Sequence, residues 1–426
     1  MITLTDDKRL QKNEKIRSSG KATREKRKSQ VCRVFKVKID TSRLSAKQKE
    51  HLKMIFTEAK WLYNDILQYS ENNDINTYNT KTKFVNVLNK DKEVETRELK
   101  YISARMKQSV LAGIQSSIKS LSRLKKNGRK VGRLKYISDY RSIDLMQYGW
   151  TYKIHGKNRI KIQNVPGRVI VNGLEQFIDT PNIEIANAKL LNTPSGYYIA
   201  ITTYTPKEDI KPREYIDKEI GVDMGIKNHI TLSNGEKFSA SVGETERLKR
   251  LQRKLSRQVK GSNNRRKTLR LIQREYQKLT NRKNDIANKL VAYILSYKKI
   301  YMQDEQLSNW QKGLFGKQIQ YSVLGRIKAK LINNPRVEVL DRYTPTTKFC
   351  PVCQSTNNDI QLGDDIYTCP TCGYTEDRDI HAARNMIIMC KIVKNNLPRG
   401  PREVKPAETV KSTVVETGRL QPVSCG

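Results

Sequence analysis

The sequence predicts a multidomain protein that combines α/β folding with a small β-barrel, and three observations support this fold class. Short alternating strands separated by Gly, Asn and Pro turns fill residues 136–205. Apolar strands that carry or end in acids, with long helices between them, occupy residues 214–345. Two Cys-x2-Cys pairs within residues 346–375 have the spacing of a zinc ribbon. The chain has 426 residues, which is enough for two to four domains.

The charge balance predicts a polyanionic partner. Lys and Arg number 82 against 43 Asp and Glu, a formal net charge of +39. Lys and Arg release counterions from phosphates, so nucleic acid is the leading candidate. A membrane is a poor alternative, because no apolar run reaches the roughly 18 residues of a spanning helix. The three cysteines outside the ribbon are scattered, which favours a reducing cytosol.

The N-terminal half reads as a barrel with a helical insertion. Residues 1–30 are polar and basic and predict a disordered arm. A strand near residues 31–39 belongs with the strands further on, so we expect one β-barrel domain from residues 31–44 and 136–205. Residues 45–135 would form the insertion, with two helical stretches around a loop or broken helix at 70–95.

The insertion ends in a basic cluster whose glycines would let the backbone approach a phosphate chain. An exposed helix end followed by a turn is the equally weighted alternative. The candidate nucleic-acid contacts are Lys125, Lys126, Arg129, Lys130 and Arg133.

The third region contains a predicted helical hairpin at residues 244–299. Between Arg247 and Lys283 there are fifteen basic residues and one acid, Glu275. A solvated helix face usually mixes both signs, so this one favours nucleic acid. Its candidate contacts are Arg253, Arg257, Arg265, Arg266 and Lys267. A strand, a helix at 317–332, the ribbon, a final helix from about residue 379 and a disordered tail at 395–426 complete the prediction.

Four cysteines predict one structural zinc ion. Each Cys-x2-Cys knuckle presents two thiolates from a tight turn, and two knuckles make a closed tetrahedral site. Four unliganded thiols would leave a short segment with little to fold it. The ligands would be Cys350, Cys353, Cys369 and Cys372.

Acids at the ends of separate elements predict a second kind of metal site. Asp223 lies on an apolar strand, where a carboxylate is costly without a cation or hydrogen bonds. Asp304 and Glu305 end another strand, and Asp379 begins a helix. Carboxylates suit Mg²⁺ or Mn²⁺, and two such ions about 4 Å apart can hydrolyse a phosphodiester. For any single acid, a salt bridge to one of the many basic residues is the alternative.

Five stretches of the third region together form a recognisable pattern: Gly221-Val-Asp-Met-Gly-Ile-Lys-Asn, Leu251-Gln-Arg-Lys-Leu-Ser-Arg, Asp304-Glu-Gln-Leu, Thr346-Thr-Lys-Phe-Cys-Pro-Val-Cys and Cys372-Gly-Tyr-Thr-Glu-Asp-Arg-Asp-Ile-His-Ala-Ala-Arg-Asn. With these stretches the region resembles the split RuvC-type nuclease of the TnpB family, the transposon-encoded relatives of type V CRISPR effectors. The N-terminal strand and helix resemble that family more weakly, so the likeness spans about residues 31–392.

The resemblance implies an RNase H-like (RuvC) domain at 214–345, completed by residues 376–394 after an inserted ribbon at 346–375. It also implies a wedge-like role for the barrel and a recognition role for the insertion. Asp223, Glu305 and Asp379 match the catalytic acids that bind magnesium. Two departures stand out. Asp304 precedes the second acid and is a rival ligand, and His381 replaces a common Asn, for which we expect a capping or packing role.

The function implied is an RNA-guided DNA endonuclease that pairs a guide RNA with double-stranded target DNA beside a short target-adjacent motif. We expect it in the prokaryotic cytosol or nucleoid, with a monomer favoured. A nuclease-inactive, RNA-guided repressor is one alternative. A guide-independent zinc-ribbon DNA-binding protein that assists a transposase is another.

Overall fold

A computed structural model of the protein describes residues 3–89, 93–210, 214–361 and 363–395. The chain divides into two compact units. Unit 1 comprises Met1–Glu214 and Glu244–Asn281, and unit 2 comprises Tyr215–Gly243 and Arg282–Gly426. Every helix in the described ranges is too short or too polar to cross a lipid bilayer.

Unit 1 is built on a seven-stranded antiparallel sheet that nearly closes into a barrel, as predicted. Its strands lie side by side in the order β4 (Ser142–Leu145), β8 (Glu184–Thr193), β9 (Gly196–Pro206), β1 (Gln30–Ile39), β7 (Val169–Asn172), β6 (Arg159–Ile162) and β5 (Tyr152–His155). The hydroxyl of Tyr152 on β5 donates to the carbonyl of Ala186 on β8, 2.7 Å away, which ties one edge back toward the other. Two further strands of the unit are β2 (Phe84–Leu88) and β3 (Val94–Glu98).

The insertion between β1 and β4 contains helices α2 (Ala46–Tyr69) and α3 (Ala104–Lys126). Ser45 and Gln48 form a capping box at the start of α2. We predicted loop or broken helix at 70–95, and instead β2 and β3 pair there as a hairpin. The backbone N–H of Asn86 donates to the Asp65 carboxylate on α2, 2.9 Å away, so a contact distant in sequence anchors the hairpin.

Residues Thr3–Lys28 form helix α1, so the predicted disordered arm is wrong for this segment. Lys, Arg, Glu and Gln are good helix formers, and their polarity alone made the segment resemble a tail. The end of α1 is fixed to unit 1, because the Arg27 guanidinium lies 3.5 Å from the Tyr204 ring centroid and pairs with Glu184 at 2.6 Å.

Unit 1 also includes α4 (Glu246–Ser256) and the first part of α5 (Asn263–Ile294), and these two helices form the predicted helical hairpin. The hairpin stops at Ile294 and not near residue 299, because Tyr297 already begins strand β13. The single acid of the hairpin, Glu275, is buried and pairs with Arg247 at 3.4 Å and Lys278 at 2.9 Å.

Unit 2 is built on a five-stranded mixed sheet of order β12-β11-β10-β13-β14. Strands β10, β13 and β14 are parallel, whereas β11 and β12 are antiparallel. The helix predicted at 317–332 is two short helices, α7 and α8, separated at Ser322 and Val323. The elements are β10 (Ile216–Asp223), β11 (Ile230–Leu232), β12 (Lys237–Phe238), β13 (Tyr297–Gln303), α6 (Leu307–Lys312), α7 (Gly316–Tyr321), α8 (Leu324–Leu331), β14 (Val337–Leu340), β15 (Ile366–Thr368), β16 (Thr375–Asp377) and α9 (Arg378–Asn395).

Helix α9 packs closely on β10. A Cβ atom on Gly221 would overlap the carbonyl oxygen of Ala383, so only glycine allows the helix this near the strand. The close approach brings the start of α9 to the end of β10 that carries Asp223. The predicted disordered tail lies outside the described residues from residue 396 onward.

Candidate active site

Three acids converge at one edge of the unit 2 sheet. Asp223 is the last residue of β10, and Glu305 follows β13 by two positions. Because β10 and β13 are parallel neighbours, with Val222 opposite Met302, their carboxyl ends meet at the same edge. Asp379 is in the first turn of α9, which packs on β10. The three predicted acids therefore come together from three separate elements.

The electrostatics confirm that these carboxylates are close enough to repel one another. Burial is the main cause that raises the pKa of Asp223 to about 7, and the negative charges of Asp379 and Glu305 contribute to the same rise. Burial also raises the pKa of Glu305. A cation placed between these groups would relieve the repulsion and favour the ionised forms. The donor set of carboxylate oxygens therefore fits Mg²⁺ or Mn²⁺.

Asp379 is held from one side by the loop after β10. The side-chain amide of Asn228 donates to Asp379 Oδ2 at 3.0 Å. Lys237 Nζ lies 3.9 Å from the same oxygen, but it pairs more closely with Asp377, at 2.6 Å. These contacts orient one oxygen of Asp379. Asn228 was missed by the sequence reasoning, because the contact joins residues 151 positions apart.

Of the two adjacent acids Asp304 and Glu305, Glu305 is the better candidate for the acidic site. Asp304 is occupied by ion pairs with Lys328 at 2.6 Å and Arg342 at 3.8 Å. Glu305 has no such ion pair among the described residues, and its carboxylate contributes to the pKa shift of Asp223. Asp304 therefore neutralises the basic residues next to Glu305.

His381 has the packing role that we expected. Its ring is fully buried and stacks on Tyr367, with centroids 3.7 Å apart. Its Nε2 lies 3.0 Å from the side-chain amide of Asn385, which in turn donates to the carbonyls of Thr346 and Phe349. Burial lowers the pKa of His381 to about 4, so the ring is neutral at physiological pH. These contacts join α9 to the cysteine-bearing segment.

The four predicted cysteines form one cluster. Their sulfur atoms all lie within 4.8 Å of one another, and two of the pairs, Cys350 with Cys372 and Cys353 with Cys369, are 3.6 and 3.5 Å apart. Tetrahedral bonds of about 2.3 Å to zinc would separate thiolate sulfurs by roughly 3.8 Å. The cysteines are not joined by disulfides. The cluster therefore fits a closed, structural Zn²⁺ site.

The predicted nucleic-acid contacts are mostly exposed, with one exception. Arg265 is half-buried, and its guanidinium donates to the carbonyls of Leu255 and Gln258 at 2.5 and 3.0 Å, so it closes the turn of the hairpin. The other nine side chains are exposed and remain predictions: Lys125, Lys126, Arg129, Lys130, Arg133, Arg253, Arg257, Arg266 and Lys267.

A second basic surface in unit 1 was not predicted. Lys153 lies opposite Lys161 on β5 and β6, and His155 lies opposite Arg159. Adjacent strands β1, β7, β6 and β5 contain no acid. Lys153 and Lys161 are like charges placed directly opposite one another, an arrangement that destabilises a sheet. The signal was present in the sequence, since residues 145–174 contain no Asp or Glu.

Comparisons with protein families confirm the resemblance to TnpB. Residues 202–302 match the OrfB_IS605 family, described as a probable transposase. Residues 324–386 match the TNB domain of Cas12f1-like proteins. Asp223 lies in the first match, while the cysteine cluster and Asp379 lie in the second.

Two curated relatives carry related names. The chain is 30% identical over 191 residues to a Streptomyces pristinaespiralis protein named as a proposed RNA-guided DNA endonuclease, a match that covers 42% of this chain and 47% of the relative. It is 26% identical over 231 residues to InsQ of Escherichia coli K12, which is named in the same way, covering 48% and 56%. The chain thus spans about half the length of the curated relatives it matches.

Two solved structures are more distant. One is a Cas12f1–sgRNA–target DNA complex, with 12% identity, a TM-score of 0.38 and coverage of 80% of this chain and 82% of that one. The other is the mini-RNA-guided endonuclease CRISPR-Cas_phi3, with 10% identity, a TM-score of 0.41 and coverage of 88% and 94%. Both TM-scores are too low to establish a shared fold.

Proposed function

We propose that this TnpB-like chain is an RNA-guided DNA endonuclease with a metal-dependent, RuvC-like site formed by Asp223, Glu305 and Asp379. One observation carries the proposal. Carboxylates from a strand end, a post-strand turn and a helix start converge at one edge of the sheet, where burial and then the charges of Asp379 and Glu305 raise the pKa of Asp223. A purely structural arrangement would pair each of them closely with a basic residue, as Asp304 is paired with Lys328 at 2.6 Å. Among the described residues, Asp379 has only a long ion pair, to Lys237 at 3.9 Å, and no ion pair involves Asp223 or Glu305.

The chemistry follows from what each side chain can do. Oxygens of Asp223, Glu305 and Asp379 would hold one or two divalent ions. When bound, Mg²⁺ or Mn²⁺ supplies an activated water and stabilises the leaving oxygen of a phosphodiester. Asn228 keeps Asp379 in one orientation through its hydrogen bond to Oδ2, which leaves Oδ1 directed elsewhere. The cysteine cluster would hold a structural Zn²⁺ that fixes the segment before Asp379.

The partners we propose are a guide RNA and a double-stranded DNA target. Pairing with the guide would read the sequence, and the protein would read a short motif next to the target. The acid-free strands β1, β7, β6 and β5 support an RNA or DNA backbone contact in unit 1. Trp150 adds an exposed aromatic ring in the turn before β5, where it could stack on an unpaired base.

The two alternatives differ from this proposal in one measurable property each. A nuclease-inactive repressor would bind matched DNA without cutting it, and the presence of all three acids argues against it. A guide-independent zinc-ribbon protein would contain no discrete RNA.

The test is to purify the protein with its RNA, sequence that RNA, and add matched plasmid DNA with Mg²⁺. We expect a discrete RNA and cleavage of the plasmid. The Asp223→Ala variant should bind the plasmid but cut it at least about 10³-fold more slowly, as expected when a group that stabilises the transition state is removed.

The matched control is Asp217→Ala. Asp217 lies on the same strand, but its carboxylate is exposed and paired with Lys298 at 2.7 Å at the opposite edge of the sheet. Cleavage by this variant should equal that of the wild type. Binding without cleavage by the wild type would support the repressor, and the absence of a discrete RNA would support the guide-independent protein.

A further inference from the structure

The loop that follows β14 lies at the same edge of the sheet as the acids. Strand β14 is parallel to β13, with Gln303 opposite Leu340. The backbone N–H of Asp304 donates to the carbonyl of Leu340 at 3.0 Å. Residues 341–345 therefore leave the sheet beside the turn that carries Glu305.

This loop is rigidly held by one buried side chain. Gln303 is 6% exposed, and the two N–H bonds of its Nε2 are shared among three loop carbonyls, those of Asp341, Arg342 and Thr344, at 3.0, 3.0 and 2.8 Å. Its Oε1 accepts from the hydroxyl of Thr346 at 3.1 Å. Because both polar atoms of the Gln303 side chain have hydrogen-bond partners, the backbone of the loop is held in one conformation.

The fixed loop presents a large aromatic ring to water. Tyr343 is 84% exposed. Arg342, next to it, directs its guanidinium to 5.9 Å from the Tyr343 ring centroid and 3.8 Å from Asp304. Aromatic rings bury large apolar areas in most folds, so a pinned and exposed ring beside a candidate active site needs a reason.

A second Arg–Tyr pair in the same unit shows what a structural pair looks like. Arg336 lies 3.9 Å from the Tyr215 ring centroid at the opposite edge of the sheet. Its guanidinium also donates to the carbonyls of Tyr297 and Leu295, at 2.7 and 2.9 Å. That pair braces the fold, and Tyr215 is only 43% exposed. The Arg342 guanidinium has one long ion pair, to Asp304 at 3.8 Å, and within the described residues it donates to no backbone carbonyl.

We propose that Arg342 and Tyr343 form a subsite for the DNA strand that enters the acid cluster. The Tyr343 ring stacks on an unpaired base next to the phosphate to be cut, and the Arg342 guanidinium contacts a neighbouring phosphate. Every base has a π-face, so such stacking holds a single strand without reading its sequence. Arginine suits the phosphate because its planar fork matches the phosphate oxygens. The proposal rests on the proposed nuclease function.

The kinetic test uses the RNA-loaded protein bound to matched DNA, with cleavage started by adding Mg²⁺. Tyr343→Ala should lower the cleavage rate about 10-fold, as expected for the loss of one stacked base. Tyr343→Phe keeps the ring and should cut within about 2-fold of the wild type. Tyr215→Ala is the matched control and should cut at the wild-type rate. Zinc content and melting temperature should be the same in Tyr343→Ala and the wild type.

The binding test does not depend on cleavage. Target-strand oligonucleotides that extend past the guide-paired segment, each with one 2-aminopurine in the unpaired extension, are bound to the RNA-loaded protein in Ca²⁺. The wild type should quench the fluorescence at one or two adjacent positions, and Tyr343→Ala should restore it there. Quenching that is unchanged in Tyr343→Ala, or equal losses of rate in Tyr343→Phe and Tyr343→Ala, would overturn the subsite. A wild-type complex that quenches but never cuts would instead overturn the proposed nuclease.

Discussion

Unit 2 contains two clusters of candidate metal ligands that differ in how they are built and in what they leave open. The four sulfurs of the cysteine cluster lie within 4.8 Å of one another, which fills a tetrahedral site. Among the described residues no acidic cluster is gathered so tightly. The carboxylates of Asp223, Glu305 and Asp379 approach closely enough for the charges of the last two to help raise the pKa of Asp223, but they do not form a closed set of ligands. A closed site stabilises a fold, whereas an open one can do chemistry.

The two clusters are also joined. Asp379 begins α9, and two residues later His381 stacks on Tyr367, which belongs to the cysteine-bearing segment. Asn385, one turn further, donates to the carbonyls of Thr346 and Phe349. The position of Asp379 therefore depends on the fold of the segment that the cysteines hold together.

Replacing one ligand of the four-cysteine cluster should have the largest effect on folding and cleavage. Cys369→Ser should lose zinc and unfold the ribbon, because metal binding and folding are coupled in small metal sites. Since α9 packs on that ribbon, cleavage should fall at least about 10³-fold together with the zinc content. Metal analysis and plasmid cleavage measure the two effects.

Two variants separate this effect from a general loss of folding. Cys32→Ser changes an exposed cysteine in unit 1 and should keep both zinc and cleavage. Asp223→Ala should lose cleavage but keep zinc. If Cys369→Ser lost its zinc and still cut DNA normally, the two clusters would be independent of each other.

The next prediction concerns two adjacent acids, Glu305 of the acidic cluster and its neighbour Asp304. Glu305→Ala should slow cleavage about 10³-fold, because a carboxylate that we propose as a metal ligand is lost. Asp304→Ala should slow it by less than about 10-fold, because that carboxylate is already occupied by Lys328 and Arg342. Single-turnover rates at saturating Mg²⁺ measure both. The reverse order of effects would make Asp304 the ligand.

The contrast between local sequence patterns and long-range contacts explains how much of the structure could be predicted from the sequence. The cysteine pairs were found because their spacing is local, and the Ser45–Gln48 capping box starts α2 for the same reason. The positions of the three acids followed from strand ends and a helix start, together with the TnpB resemblance. Periodicity was enough for these elements, because each is formed by residues close together in the chain.

Long-range contacts could not be predicted in this way. Asn228 reaches Asp379 across 151 positions, and Gln303 fixes a loop about forty positions away. The β2–β3 hairpin was missed because its anchor, Asp65, lies on another element. Helix α1 was missed for a different reason, since polarity alone does not distinguish a solvated helix from a tail.

The smallest predicted effect concerns stability and tests whether burial and the neighbouring acids together raise the pKa of Asp223. The pKa of Asp223 is raised to about 7 in the folded protein, against about 3.9 for an unperturbed Asp. A raised carboxyl pKa means that the folded state holds its proton longer than the unfolded state. In metal-free protein, its contribution to stability is therefore present below about pH 4 and is lost as the pH rises through about 7.

Asp223→Asn removes this ionisation while keeping the shape of the side chain. At pH 8 without divalent metal, the variant should melt a few degrees higher than the wild type, and the difference should shrink at pH 5 because the wild-type carboxyl regains its proton. Mg²⁺ should raise the melting temperature of the wild type at pH 8 and leave the variant nearly unchanged, because the ion compensates a charge that the variant lacks. Scanning calorimetry at the two pH values, with and without Mg²⁺, measures all of this. A melting difference that is the same at both pH values would mean that neither burial nor the neighbouring acids raise the pKa of Asp223 in the folded protein, and the acidic cluster would then lack the property that distinguishes it from an ordinary set of surface acids.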